Sequence, residues 1–336
     1  MDMRRKERID RGIKVRTEGI YAISSIREIL YLLGPRLLLI VGLLLLPFLL
    51  GFAPYWARVV NIMCVYALIA LSFDFLANYV GLVCLGGAFF VGVGGYLSAI
   101  FNTYLSIPFY LSIPLATILG ALLCTALFLP CLPLRGVYFA IVTLMYPLLL
   151  TRIIEAFDIL GGTNGITGVD SFPNQYVEHY AIIVVALLAL FGLRRFVNQD
   201  IGLVLRGVKD NDQSVRASGI NVTSMKALAV FIAAAIGCFG GAYLVHLYMW
   251  AGISLFALDF SIIPIAAVVI GGGGTLVGAV VGTFILVPLS EALRNLGTFR
   301  IVIYCVALTA FIVFKSEGIM VYLQRKYHQF ERWVKV

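Results

Sequence analysis

Apolar residues run almost unbroken along this chain for stretches of about 17–25 positions, each ended by a short polar or glycine-rich segment. The runs fall at roughly 37–53, 59–78, 84–101, 109–132, 137–154, 180–196, 225–249, 260–272, 275–293 and 300–314. As a helix, a run of this length crosses about 30 Å of hydrocarbon. The ten-residue alternation of a membrane barrel is missing. The pattern predicts an all-α polytopic membrane protein with about ten transmembrane helices. Two junctions decide the count. Residues 59–101 as one helix would reach about 65 Å, twice a bilayer, so the chain must turn, at "ANYVGL" (77–82). Residues 260–293 would reach about 50 Å, and "GGGG" (271–274) is the natural break. The chain divides into a basic N-terminal segment (1–36), a transmembrane domain (37–314) and a polar tail (315–336).

Composition agrees. Of the 336 residues 61% are hydrophobic and only 12% charged, against roughly 25% charged in soluble domains. Mean hydropathy is +1.00. The net charge of +8 is a matter of topology, since no basic–aromatic patch or nucleic-acid module accompanies it. With ten spans and an internal N-terminus, 21 of the 25 Lys and Arg fall inside. Only Arg58, Arg152, Arg294 and Arg300 fall outside. The positive-inside rule therefore places both termini and 198–222 in the cytoplasm, and 155–179 and 250–258 outside. The N-terminus does not read as a cleavable signal, because its basic region is too long. The six cysteines lie in apolar runs without metal-ligand spacing and read as buried free thiols; no metal site is expected.

Few groups inside the spans carry chemistry. Asp74 costs roughly 2.5–3.5 kcal/mol mid-membrane, so it must face protein, or reach water at the cytoplasmic end. His246 reads as a satisfied interface histidine, and Asp259 and Glu291 as snorkelling span-end groups. "GLVCLGGAFFVGVGGYLSAI" (81–100) holds six glycines, Gly81, Gly86, Gly87 and Gly94 among them. Each weakens a helix by about 0.5–1 kcal/mol, which close helix contact can offset. The pairs Gly94/Ser98, Gly237/Gly241 and Gly278/Gly282 suit such contact. Gly271, Gly272 and Gly274 mark the second break. Tight packing is one reading of these glycines; broken helices lining a pathway are the other. The scarcity of mid-membrane acids weighs against a proton- or sodium-driven carrier. Without a Gly-Lys pair the chain has no Walker A loop, so any driving energy comes from another subunit.

One internal stretch breaks the apolar rule: "GLVLRGVKDNDQSVRASGI" (202–220). Asp210 as N-cap with Gln213 at N3 forms a capping box. Asn211 to Ser218 then make two turns, and Gly219 is the C′ stop. Helices this short are marginal alone, and Leu203, Val204, Val208 and Val215 offer apolar contacts to a partner. This stretch resembles the permeases of ABC importers for branched-chain amino acids, in their LivM-like branch. There G-x-x-L-R-A-x-x-x-N-E-x-A-A-x-A-x-G-I precedes a span and docks into the ATPase. Gly202, Leu205, Arg206, Asn211, Ala217, Gly219 and Ile220 match, and Asp212 stands where Glu is usual. "LRGVYFAIVTL" (134–144), "GGTNGITGV" (161–169) and "IGGGGTLVGAVVGTFIL" (270–286) resemble further motifs of the family in the same order. Gly87 stands in place of a common His, Asp74 of a frequent Asn, and Ala279 of a Pro.

The resemblance implies a permease subunit of the bacterial plasma (inner) membrane that is not itself an enzyme. Its partners would be a second homologous permease, two cytoplasmic ATPases and an external solute-binding protein. It would bind no cofactor, ATP being held by the partner subunits. Asp210, with the matched residues and Asp212, would form the ATPase dock. Asp74 and the glycines at 81, 86, 87, 94, 271, 272 and 274 would line or gate the path. The external loop (Gly162, Thr163, Asn164, Gly165, Thr167) would border its mouth or meet the binding protein. Branched-chain or other aliphatic amino acids are the expected solutes. Urea, amides or other small solutes, or an ATP-independent carrier, are the alternatives.

Overall fold

In the computed structural model, residues 54–134 and 136–293 are described, with 299, 309 and 318–323. The expected spans at 37–53 and 300–314, the segment 1–36 and most of the tail lie outside the described residues. Nine α-helices appear among those described: α1 Pro54–Phe75, α2 Gly87–Thr103, α3 Phe109–Phe128, α4 Val137–Phe157, α5 Gln175–Val197, α6 Asp200–Ala217, α7 Val222–Tyr248, α8 Asp259–Gly271 and α9 Val277–Ala292. A two-residue antiparallel ribbon joins β1 (Ile166–Thr167) to β2 (Trp250–Ala251). The protein is an all-α membrane protein. Among the described residues, six helical segments are long and apolar enough to cross a membrane, and α2 and α9 are shorter apolar helices.

Both predicted junctions break where glycine permits. α1 continues as a π-helical turn, Leu76–Val80, which Gly81 ends at φ +79°. The chain then runs irregularly through 82–86 and re-forms as α2. At the second junction α8 stops at Gly271 and α9 starts at Val277. α8 is only 13 residues long, about 20 Å at 1.5 Å per residue, and cannot cross alone. A 3-10 turn, Ile253–Phe256, precedes it. That turn dips into the bundle: Phe256 fills the space beside Gly92, and Leu255 that beside Gly95, both on α2.

The bundle packs around α1, α2 and α7. α2 on α7 is the most extensive pairing, and α3 covers both. The contact is backbone against backbone. A Cβ on Gly94 would lie 2.2 Å from the Cys238 carbonyl oxygen, and one on Gly241 1.9 Å from that of Val91. The hairpin of α8 and α9 repeats the device, with Gly282 against the Ala267 carbonyl and Gly271 against that of Gly278. Small residues thus let helices approach where lipid supplies no hydrophobic drive between them. At Gly94 the packing reading is the one observed. α4 and α5 lie outermost and expose long apolar faces, as with Tyr138, Leu149, Val184 and Leu188.

Candidate functional site

Asp74 is fully buried, so its expected escape to water does not occur. It faces protein instead. One carboxylate oxygen accepts from the Gly274 backbone N–H at 2.7 Å and from Asn78 Nδ2 at 2.6 Å. The other accepts from the Leu276 N–H at 2.9 Å. Tyr79, one residue beyond Asn78, donates its hydroxyl to the Gly274 carbonyl at 2.6 Å. The glycine break between α8 and α9 is therefore moulded around the end of α1. Gly272 and Gly274 take positive φ there, and so does Leu276, at +55°. A leucine in that region is strained, and such strain persists only where neighbours over-determine it. Asp74 supplies that constraint.

The same end of α1 carries α6. Lys209 Nζ donates to the Asn78 carbonyl oxygen at 2.8 Å, and the Arg206 guanidinium sits 5.3 Å over the Tyr79 ring. Gly81 leaves room for the Lys209 side chain, whose Cγ would be 3.0 Å from a Cβ. A continuous chain of polar contacts thus runs from α6 through Asn78 and Tyr79 to Asp74 and the break. Asn78 stands four residues after Asp74 on the same run, a spacing visible in the sequence. Its tie to Lys209 is not visible there.

α6 corrects two expectations. It begins at Asp200 and kinks at Asn211, which has φ −156° and ψ 100°. Asn211, not Asp210, is the N-cap of the second piece: its side-chain oxygen accepts from the Gln213 N–H at 3.0 Å and the Ser214 N–H at 3.3 Å. The reason is backbone geometry, since the cap is the residue that leaves the helical region. Val208, expected to face a partner, is buried within the chain, whereas Leu203 is 71% exposed. The C-terminal stop is as expected. Gly219, at φ +82°, bonds back to the Arg216 carbonyl and Ile220 to that of Val215, a Schellman motif closing after Ala217.

Buried Gly202 and Leu205 seat α6 against the chain. A Cβ on Gly202 would strike the Val197 carbonyl at 2.2 Å. Asp212 pairs with Lys226 of α7 at 3.9 Å, both largely buried. Arg206, Asp210, Asn211, Ala217 and Gly219 stay exposed. Between α6, residues 80–82, Leu134 and Gly136 lies a cavity of about 320 Å³, bordered by Lys209 to Gln213.

The remaining glycines of the α2 region have specific neighbours. A Cβ on Gly86 would meet Phe128 and the Thr143 carbonyl, both at 3.1 Å. One on Gly87 would meet the Phe260 carbonyl at 2.9 Å and Ile69 at 3.0 Å. α8 starts there, with Ser261 Oγ accepting from the Ala88 N–H at 3.0 Å. A histidine at 87 would collide with that start.

The opposite end of the bundle holds the loop 161–169. Gly162 and Gly165 take positive φ, and Thr167 pairs with Trp250 in the ribbon. The Asn164 carbonyl accepts from the Trp250 indole at 2.9 Å, while Thr163 is exposed. Buried His246 is satisfied, as expected. Its Nδ1 donates to the Asp170 carbonyl at 2.7 Å, which leaves Nε2 to accept from Ser98 and Ser112, each at 3.0 Å. Asn102 holds Asp170 as well, at 2.8 Å. None of these long-range partners had a local signal. No cluster able to hold a metal ion occurs among the described residues.

Residues 55–314 match the family described as branched-chain amino acid transport system, permease component. The chain is 24% identical over 287 residues to the high-affinity branched-chain amino acid transport permease protein LivM of Salmonella typhimurium, covering 76% of this chain and 68% of the relative. Against its Escherichia coli counterpart the identity is 23% over the same lengths. A probable branched-chain amino acid transport permease protein LivM of Methanocaldococcus jannaschii is 27% identical over 216 residues, covering 59% of this chain and 61% of that one. No solved structure matches.

Proposed function

Because the chain belongs to the family of branched-chain amino acid transport permeases, we propose that it forms one half of the translocation path of an ABC importer for small zwitterionic solutes, branched-chain or other aliphatic amino acids first. It is a multi-pass transport subunit of the inner membrane, not an enzyme. Its proposed partners are a second permease, two cytoplasmic ATPases and an external binding protein, with ATP bound only by the ATPases. The ten-span topology, with both termini inside, is part of the proposal. It rests on the charge distribution and on breaks at 81–86 and 272–276.

The contact chain from Lys209 to the α8–α9 break carries the mechanism. The exposed face of α6 docks to the ATPase. When the ATPases close, α6 shifts, and Asn78, Tyr79 and Asp74 transmit the shift to the strained turn at Leu276. Only an ATPase that contacts two states of α6 differently can drive that equilibrium. The external loop borders the mouth on the other side. Co-expression with its partners and a screen of labelled amino acids, urea and sugars tests the reading. ATP-dependent uptake of leucine, isoleucine or valine is expected, and uptake of urea or sugar alone would replace the solute class.

Two further outcomes are expected. Single cysteines introduced as Asn174→Cys and Ser214→Cys should react with an impermeant thiol reagent from opposite faces of the membrane. The five native cysteines of the described region are buried and contribute no background. Labelling from one face would remove the topology. Gly219→Pro should abolish ATPase co-purification while the chain still inserts, because proline cannot adopt φ +82°. Asn211→Ala should weaken it partially, by about 0.5–2 kcal/mol. Unchanged co-purification with both variants would rule out docking at α6.

A further inference from the structure

At the end of the bundle opposite α6, the first turns of α1 and α5 border an open cavity of about 250 Å³ lined by Tyr55, Arg58, Gln175, Glu178 and His179. Tyr55 donates its hydroxyl to Glu291, which ties this end of α1 to the end of α9. Every lining residue is polar or amphipathic, in a chain that is 61% hydrophobic. The volume is below the roughly 300–1,000 Å³ of drug-sized sites and suits a small solute.

The floor is held in place. Asn61, fully buried on α1, donates Nδ2 to Glu178 Oε1 at 2.6 Å. Its other amide atom, Oδ1, meets His179 Nδ1 at 2.7 Å. An amide oxygen only accepts, so His179 carries its proton on Nδ1 and its Nε2 is an acceptor. Tyr243 of α7 fixes the same turn by donating to the Glu178 carbonyl at 3.2 Å. The cavity therefore presents two acceptors, a carboxylate and a bare imidazole nitrogen, on the α5 side. On the α1 side it presents a guanidinium. Arg58 and Glu178 share the cavity without forming an ion pair with each other among the described residues. A separated cation and anion in one small cavity match the two ends of an amino acid.

We propose that this cavity binds the charged head of a zwitterionic amino acid, with the α-carboxylate on Arg58 and the α-ammonium between Glu178 and His179. The proposal rests on the amino-acid reading above and deepens it. The cavity is a first station at the outer mouth that reads the head group and leaves the side chain unread. Affinity is weak, in the millimolar range, since a receiving station must also release.

The test uses the full assembly in detergent and in proteoliposomes. In the Gln175→Cys variant, millimolar leucine should slow modification of the new cysteine several-fold. Neither 4-methylpentanoate, which lacks the amine, nor 3-methylbutylamine, which lacks the carboxylate, should do so. Arg58→Gln or Glu178→Gln should erase the protection; the glutamine still accepts from Asn61, so the floor survives. Each should also lower leucine uptake about tenfold at limiting loaded binding protein, the loss of one charge-assisted contact, with the affinity for the binding protein unchanged. Equal protection by the one-ended analogues, no protection by leucine, or a loss of uptake that tracks a loss of binding-protein affinity would overturn the site. If the unaltered assembly takes up no amino acid at all, the proposed function fails. If it takes up leucine and both variants match it, only this site fails.

Discussion

Asp74→Leu is expected to abolish ATP-driven uptake, and Asp74→Asn to retain a measurable fraction of it. The leucine leaves the buried N–H of Leu276 without an acceptor and takes the acceptor from the part-buried N–H of Gly274. Each such orphan costs about 1–3 kcal/mol, and the strained turn at Leu276 loses the group that holds it. Asparagine keeps one acceptor oxygen, and Asn78 can turn its own oxygen toward the new amide. A melting experiment on the solubilised chain should rank wild type above Asn above Leu. Lys209→Met separates stability from transmission. It removes a bond at the exposed surface of α6, so melting should hardly change while uptake per ATP hydrolysed falls. Wild-type uptake by Asp74→Leu, or unchanged coupling in Lys209→Met, would dissolve the proposed transmission chain.

Gly241→Val should yield no folded permease. Its Cβ would sit 1.9 Å from the Val91 carbonyl, against 3.4–4 Å for ordinary contact. The largest helix pair in the bundle, α2 with α7, would have to part by more than an ångström. Overpacking of a fitted core costs about 1–3 kcal/mol, and here the obstacle is backbone, which has no rotamer to escape into. The neighbouring Gly240→Ala meets only a Val65 methyl at 3.3 Å, and Gly192→Ala meets nothing within 4 Å. Both controls should express and run as a single species in size-exclusion chromatography. A well-behaved Gly241→Val chain would mean that α2 and α7 are not packed this closely.

Features set by neighbouring residues could be read in advance, and features set by distant ones could not. The two chain breaks were legible because no helix of either length fits a bilayer and glycine marks where each gives way. Gly94, Gly241 and Gly282 were legible as contact points from their four-residue spacing to another small residue. The Schellman stop at Gly219 needs only local φ. The cap of the second α6 piece was misplaced by one residue because Asp210 and Asn211 both suit the role, and only the backbone kink distinguishes them. Val208 was assigned to a partner because nothing local distinguishes an apolar position of α6 that packs on the chain from one that faces outward, as Leu203 does. For Asp74 the four-residue spacing to Asn78 stands in the sequence but was not read as a contact, and nothing local points to Gly274 or Leu276. The contacts of Glu178, His179 and Asn61 join two helices more than a hundred residues apart, and nothing local announces them.

The separation of Asp74 from its partners also bears on how the chain is made. The two backbone groups that complete its carboxylate lie 200 and 202 residues further along. At about 5–20 residues per second of synthesis, they emerge some 10–40 s after the aspartate. Until then α1 must wait in the membrane with a charge satisfied by Asn78 alone, which insertion scales penalise by roughly 2.5–3.5 kcal/mol. The helix destined for the centre of the bundle is thus among the first made and the last to be settled. Ribosome-bound chains truncated before Gly274 should hold α1 loosely at the insertion machinery, and chains extended past Leu276 should release it into the finished bundle.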